Sequence, residues 1–195
     1  MTRPVGALFL LMLLLSLSVP VGALSQQMAV GSNLLYWLAT TPNVRGEWML
    51  GGRYTLSSTL GMSHWNYRPR VKGRETIIYD WLIYPELKCW TDNPFRADYF
   101  GIHAFFGQYD VSDLRWPRFL YGKRYNGYGM GFGISYGYLW SLGRHWALEA
   151  SLGIGFVYTR YRRYELADGD GEREKRSCYG VMPTKVGLSF VYILE

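Results

Sequence analysis

One segment alternates very large and very small side chains, and this alternation constrains the fold more than any other feature of the sequence. The large residues are Tyr128, Met130, Phe132, Ile134, Tyr136, Tyr138 and Trp140. The intervening positions from 129 to 137 are all glycine or serine. A period of two is that of a β-strand, whose successive side chains point to opposite faces. The segment therefore predicts a strand with one bulky face and one nearly bare face.

A second alternating run follows the turn Gly143-Arg144-His145, and together the two runs predict a hairpin. Its large face comprises Trp146, Leu148, Ala150, Leu152, Ile154, Phe156 and Tyr158. Weaker alternation predicts six more strands, approximately at residues 28–39, 44–50, 54–65, 76–90, 99–109 and 185–194. The second of the eight is predicted to be the shortest. Short and long connections largely alternate, which is typical of an outer-membrane barrel with both termini on the periplasmic side.

Side-chain volume predicts which face of each strand points outward. Eight strands enclose a space that side chains just fill, so only the small faces fit inside. The composition agrees, because 8 Trp, 17 Tyr and 9 Phe accompany 23 Gly in 195 residues. On a soluble carrier barrel the bulky faces would form an apolar belt far larger than is usual for a monomer. We therefore predict an all-β, eight-stranded, antiparallel, up-and-down transmembrane β-barrel.

The charged residues of the strands are predicted to lie on the inward-facing side. A Lys or Arg that faces lipid at the bilayer midplane costs about 2 to 4 kcal/mol, so inward placement is expected. The bulky residues of their own strands place Glu149 and Lys185 inside. Setting Glu86, Lys88 and Glu47 inward sends their bulky neighbours outward, which is consistent. The resulting lumen set has six residues: Arg45, Glu47, Glu86, Lys88, Glu149 and Lys185. Three cations facing three anions predict a structural network of ion pairs that plugs the lumen, since an unpaired buried charge is costly. A proton or ion path is the alternative.

The extreme N-terminus has the pattern of a secretory signal peptide. Arg3 precedes an apolar core from Val5 to Val19, and small residues around Ala23 provide a cleavage site. The core stops at Pro20, short of the roughly 20 apolar residues of a spanning helix. We expect a signal-peptide helix at residues 1–25 and one barrel domain at residues 26–195.

The two cysteines are predicted to stay unpaired. The predicted topology places Cys89 near the periplasmic end of its strand and Cys178 at the outer start of the last strand. An apolar band about 25 Å tall separates those levels, whereas the Cα atoms of a disulfide lie within about 7 Å.

Several short pieces resemble a Bacteroidota outer-membrane β-barrel family of unknown function, here termed DUF3575-like. The matching pieces include Asn33-Leu34-Leu35-Tyr36, Gly46-Glu47-Trp48, Glu86-Leu87-Lys88, Gly101-x-His103, Ser135-Tyr136-Gly137-Tyr138, His145-Trp146 and Pro183-Thr184-Lys185. The resemblance implies an outer-membrane location in a Gram-negative envelope. It supplies no catalytic residues.

No catalytic, cofactor or metal site is predicted. Ser63 and His64 are adjacent in a strand and so point to opposite faces, while His103 and His145 lie at other heights. The glycines after Tyr128 lack the following helix of a nucleotide-binding loop, and Asp168 to Glu172 lacks the spacing of a Ca²⁺ loop. We therefore expect a non-enzymatic protein, with a lipid A-modifying enzyme and a small pore as alternatives.

The outer connections are rich in basic residues. The possible lipid-phosphate contacts are Arg68, Arg70, Lys72 and Arg74, because arginine binds phosphate through two parallel hydrogen bonds. A solvated surface without a ligand is the alternative. The last outer connection carries Arg160, Arg162, Arg163, Arg173, Lys175 and Arg176. We expect a monomer of the cell outer membrane with a structural, binding or surface-assembly role. Its expected partners are outer-membrane lipid, lipopolysaccharide, and surface-appendage or envelope proteins, and not nucleic acid.

Overall fold

A computed structural model describes residues 27–67, 76–112, 123–165 and 174–194, which form a closed antiparallel ring. Each strand pairs with its neighbours in sequence, and the last pairs with the first. The strands are β1 (Met28–Asn33), β2 (Asn43–Gly51), β3 (Tyr54–Tyr67), β4 (Thr76–Trp90), β5 (Ala97–Ser112), β6 (Lys123–Ser141), β7 (Trp146–Glu165) and β8 (Glu174–Leu194). The all-β prediction with eight antiparallel strands is confirmed. The predicted signal peptide lies outside the described residues.

The two faces of the β6–β7 hairpin are the ones that the alternation predicts. On the outer face Phe132 is 65% and Leu152 65% exposed. On the inner face Ser135, Ala147 and Ser151 are buried. On this hairpin, large apolar side chains therefore face outward, and most of the inward-facing ones are small or polar.

The inner glycines make room for particular large side chains. A Cβ atom at Gly137 would lie 2.5 Å from Cζ of Tyr99, and one at Gly131 would lie 2.6 Å from the ring of Phe105. A Cβ atom at Gly133 would lie 2.9 Å from Nε2 of His103. Because the ring is narrow, these three inward side chains need a bare position on the neighbouring strand.

The first strand is shorter than predicted, because the strand expected at residues 28–39 ends at Asn33. A short helix, α1 (Leu34–Leu38), follows. The Asn33 side chain accepts a hydrogen bond from the Leu35 amide at 3.0 Å and so caps the helix. The unbroken apolar run in α1 has no period that separates strand from helix. The prediction that β2 is the shortest strand is also wrong, since β1 has 6 residues and β2 has 9.

The short first hairpin leaves a notch in the wall of the ring at the end opposite the short turns, which is called the outer end. β1 pairs with β8 only from Ser189 to Leu194, and β2 pairs with β3 only from Tyr54 to Gly61. From Met62 onward, β3 pairs only with β4 among the described residues, and before Ser189, β8 pairs only with β7. The Asn33 side chain bonds Leu188 and Val186 at the floor of this notch, so α1 closes it from below.

The last strand is longer than predicted and carries a β-bulge. It begins at Glu174 instead of Lys185. Gly153 pairs with Lys185 but Ile154 pairs with Pro183, which leaves Thr184 as the extra residue. Pro183 has no amide hydrogen to donate to a ladder. The bulge allows Thr184 to contact His103, with 2.8 Å between Oγ1 and Nε2.

An apolar cluster closes the end of the ring that carries the short turns. Its members include Trp90, Phe95, Leu139, Ala147 and Val191, all buried. Phe95 belongs to the β4–β5 turn and folds back beneath the strands with φ 62°. This end of the interior is therefore filled by side chains.

Both cysteines are free, and they lie at opposite ends of the ring. Cys89 pairs across β4–β5 with Phe100, near the short turns. Cys178 pairs with Thr159, near the outer end of β7.

Substituting Gly137 with alanine tests the packing of the lumen. We expect Gly137→Ala to destabilise the ring by about 1 to 3 kcal/mol, because Tyr99 is fully buried and cannot move aside. Gly180→Ala is the matched control, since a Cβ atom there has nothing within 4 Å. The Gly180→Ala substitution should leave the stability of the ring unchanged or raise it slightly. Urea unfolding of the two purified variants measures the difference, and equal midpoints would contradict the packing argument.

Candidate functional site

The six residues of the lumen set lie together inside the ring. Arg45 and Glu47 come from β2, Glu86 and Lys88 from β4, Glu149 from β7 and Lys185 from β8. Each side chain is buried, and the most exposed, Lys185, reaches 9%. The alternation of the strands puts all of them on the inner face, and closure of the ring brings the four strands within reach of one another.

Glu149 is the acceptor at the centre of this network. Arg45 binds it through two parallel hydrogen bonds of 2.6 and 2.8 Å. Lys88 Nζ lies 3.0 Å from its second oxygen, and the Tyr99 hydroxyl donates to its first at 2.9 Å. The two-pronged arginine contact fixes geometry as well as charge.

Lys88 joins Glu149 to a second carboxylate. Its Nζ atom lies 2.8 Å from Glu47 and 4.3 Å from the centre of the Tyr99 ring. Glu47 accepts a further bond from the Thr55 hydroxyl at 2.7 Å, and the indole of Trp90 donates to that hydroxyl. The lower part of the network is thus tied to the apolar cluster through Trp90.

Glu86 and Lys185 form the third ion pair. Lys185 Nζ lies 2.7 and 2.5 Å from the two oxygens of Glu86, and Ser135 donates to the same carboxylate. Lys185 also donates to the Tyr99 hydroxyl at 3.2 Å, which links this pair to Glu149. Three cations and three anions therefore share one connected set of bonds.

A small cavity lies beside the network. A cavity of about 20 Å³ is lined by residues that include Arg45, Tyr84, Glu86, Ser151 and Lys185. That volume holds about one water molecule. The arrangement can hold six charges in fixed, paired positions, which suits a structural role.

The uncharged partners of the network are absent from the predicted lumen set. They are Thr55, Trp90, Tyr99 and Ser135. Trp90 shares the phase of Glu86 and Lys88 on β4, so the alternation could have identified it. Tyr99 lies two residues before Gly101 on the inner face of β5, but its hydroxyl contact with Glu149 depends on ring closure.

The serine and histidines considered for catalysis are engaged elsewhere. Ser63 points inward and donates to the carbonyl of Thr40 at 2.9 Å, whereas His64 points outward. His103 stacks on Tyr84 with ring centres 5.0 Å apart. His145 lies at the β6–β7 turn. The structure therefore brings no two of these four side chains together.

The described residues contain neither a metal-ligand cluster nor a membrane-spanning helix. No group of three or more His, Cys, Asp and Glu side chains in these residues could hold a metal ion. No described helix is long and apolar enough to cross a membrane.

An ion pair lies at the outer end of β5 and β6. Arg124 binds both oxygens of Asp110, at 2.7 and 2.6 Å, and Asn126 donates to one of them. Partial burial raises the pKa of the Asp110 carboxyl, but these hydrogen bonds outweigh it and hold the pKa below its usual value. The candidate contacts Arg68, Arg70, Lys72 and Arg74 lie outside the described residues.

Comparison with known proteins identifies one family. A family described as "Protein of unknown function (DUF3575)" matches residues 8–194. No curated protein matches the chain. Among solved structures, the chain is similar to the translocator domain of autotransporter NalP from Neisseria meningitidis, with a TM-score of 0.44 and 14% identity. That match covers 96% of this chain and 69% of the other.

Removing the central carboxylate tests the network. We expect Glu149→Gln to lower the free energy of unfolding by about 3 to 5 kcal/mol, because Arg45 and Lys88 then lose their shared charged partner while buried. Asp92→Asn in an exposed turn is the control and should change it by less than about 0.5 kcal/mol. Equal unfolding midpoints in urea for the two variants would show that the ion pairs do not stabilise the ring.

Proposed function

The chain belongs to the DUF3575 family of proteins of unknown function, and from that premise we propose that it is a non-enzymatic β-barrel of the cell outer membrane. Its lumen is closed by the buried ion pairs, and its role is structural, binding or surface assembly at the extracellular end. The protein acts as a monomer.

The outward apolar belt is the observation that carries the proposal. Phe100 and Ile134 on neighbouring strands are 60% and 63% exposed. In water such a belt would promote aggregation, whereas contact with the hydrocarbon of a membrane is favourable. Trp140 and Trp146 border it beside the β6–β7 turn, and Tyr179 borders it near the outer end. Aromatic residues at both edges are typical of a barrel that meets the lipid headgroups.

The interior supports a closed lumen. From the short turns outward, the apolar cluster around Trp90 is followed by the network around Glu149 and then by the Tyr84 and His103 rings. Inward glycines such as Gly137 and Gly131 let Tyr99 and Phe105 lie across the interior. In an open pore the side chains would leave the central axis of the ring free, whereas here the cluster and the network lie across it.

The outer end is where the proposed binding role resides. β6, β7 and β8 are the longest strands, with 19, 20 and 21 residues, and they extend past the level at which β1 ends. The proposed ligands are outer-membrane lipid and lipopolysaccharide, together with surface-appendage or envelope proteins. Within the outer connections, Arg68, Arg70, Lys72 and Arg74 are proposed as contacts to lipid phosphate.

A non-enzymatic role is proposed because the candidate catalytic groups have other contacts. Ser63 is bound to a backbone carbonyl, and His64 packs edge-on against Tyr79. His103 is held between Thr184 and Tyr84. A nucleophile must lie within hydrogen-bonding reach of its base.

A closed lumen predicts no steady ion current. We expect purified wild-type protein, inserted into a planar lipid bilayer, to give no stable open channel, because the network and the apolar cluster occupy the axis. A characterised porin inserted into the same bilayers is the positive control. A steady conductance of porin size would replace this proposal with the small pore.

Cysteine labelling tests location and orientation together. A membrane-impermeant maleimide added to intact cells should label Cys178, which is exposed at the outer end of β8, and should not label Cys89 near the short turns. Cys178→Ser should abolish the labelling, and Cys89→Ser should leave it unchanged. If Cys178 is labelled only in permeabilised cells, the outer end of β8 does not lie at the cell surface, which would contradict the proposed orientation.

A further inference from the structure

We propose that the outward face of β7 and β8 carries a binding site for the phosphate groups of an anionic outer-leaflet lipid. The site consists of Arg160, Arg162 and Lys175 and is called the rim site below. The inference rests on the proposed membrane location, and it adds a lipid contact on the strands to the loop contacts proposed above.

Strand register brings the three cations together. Arg162 lies directly opposite Lys175, and Arg160 lies two residues from Arg162, opposite Ser177. All three side chains are exposed and share the outward phase of Phe156 and Tyr179. Directly opposed residues have Cβ atoms about 4.5 to 5.5 Å apart, and residues two apart on one strand lie about 7 Å apart. One phosphate group is therefore within reach of all three.

The charge of the rim site is uncompensated in the described structure. Like charges placed opposite each other on a sheet are destabilising, so the Arg162 and Lys175 pair favours an external anion. Asp110 lies in the same row as Arg162 but two strands away on β5, opposite Asn126, and Arg124 occupies both of its oxygens. Inside the ring, by contrast, each buried cation has a carboxylate partner.

The rim site lies where a lipid headgroup would lie. Tyr158 and Tyr179 face each other one row below it, and Tyr128 lies directly opposite Arg160. Two residues along a strand advance about 7 Å, so the cations stand just above the aromatic edge of the apolar belt. A lipid could rest its acyl chains on the belt while its phosphate reaches the cations.

The residue types fit phosphate more closely than carbohydrate or a neutral headgroup. Arginine presents a planar fork that binds phosphate through two bonds, and lysine adds a compact charge. Asn126, opposite Arg162, and Ser177, opposite Arg160, place polar side chains beside them. Arg163 and Arg176 occupy the inward register positions of the same strands, so they are excluded from the site.

Lipid binding by the purified protein in detergent tests the rim site. The variant Arg160→Gln/Arg162→Gln/Lys175→Gln removes three positive charges from it. The matched control Arg53→Gln/Arg96→Gln/Arg144→Gln removes three exposed charges at the short turns. Binding of bisphosphorylated lipid A, dephosphorylated lipid A and inorganic phosphate is measured for each by native mass spectrometry and titration. A heat-dependent gel shift verifies that each variant is folded.

We expect wild-type protein and the control to bind bisphosphorylated lipid A equally, and the rim variant to bind it about tenfold or more weakly, because three charge-assisted contacts are lost. Dephosphorylated lipid A should bind weakly to all three proteins. Equal affinity of the rim variant and wild type overturns the site, as does an equal loss in the control. Binding of inorganic phosphate without preference for the lipid overturns the lipid assignment. A folded wild-type barrel that fails to insert into vesicles defeats the proposed function, and the site with it.

Discussion

The narrow interior of an eight-stranded ring is the constraint on which the rest of the structure depends. The interior accommodates some of its large side chains only because a facing position is bare, as Gly137 is bare beside Tyr99 and Gly131 beside Phe105. Large apolar residues such as Phe132 and Leu152 point outward instead. The outer belt and the packed lumen are therefore two results of one volume limit.

The buried charges fix which face of each strand is inside. A slip of one residue in pairing would move Glu149 to the outer face and bring its apolar neighbours into the lumen. Removing one partner of a buried ion pair leaves a charge without compensation, which is strongly destabilising. The network therefore gives the ring a definite register, while the apolar cluster around Trp90 closes the end beside the short turns.

The two ends of the ring have different designs. At the short turns the interior is filled and the connections are tight. At the other end β1 and β2 stop early, α1 closes the floor of a notch, and β6 to β8 extend furthest. On that extension the cations divide by face, with Arg160 and Arg162 outward and Arg163 inward. A single basic stretch of sequence thus supplies two different surfaces.

Much of this was predictable, because alternation is a local property. The period of two around Phe132 and Ile154 identified two strands and their outer faces. The cost of a charge that faces lipid placed Glu86 and Lys88 inside on another strand. The run after Asn33 misled the prediction, since continuous apolar residues suit a helix and a strand equally. The β8 bulge also went unseen, because only the pairing of Gly153 with Lys185 reveals Thr184 as an extra residue.

The sequence by itself determined the period, the bulky and bare faces, and the six charges that must lie inside. Only the tertiary structure decided which of those charges meet: Arg45 binds Glu149, 104 residues away, and Lys185 binds Glu86, 99 residues away. The physical reason is that the direction of a side chain follows from its own strand. Its partner depends on how all eight strands are staggered when the ring closes.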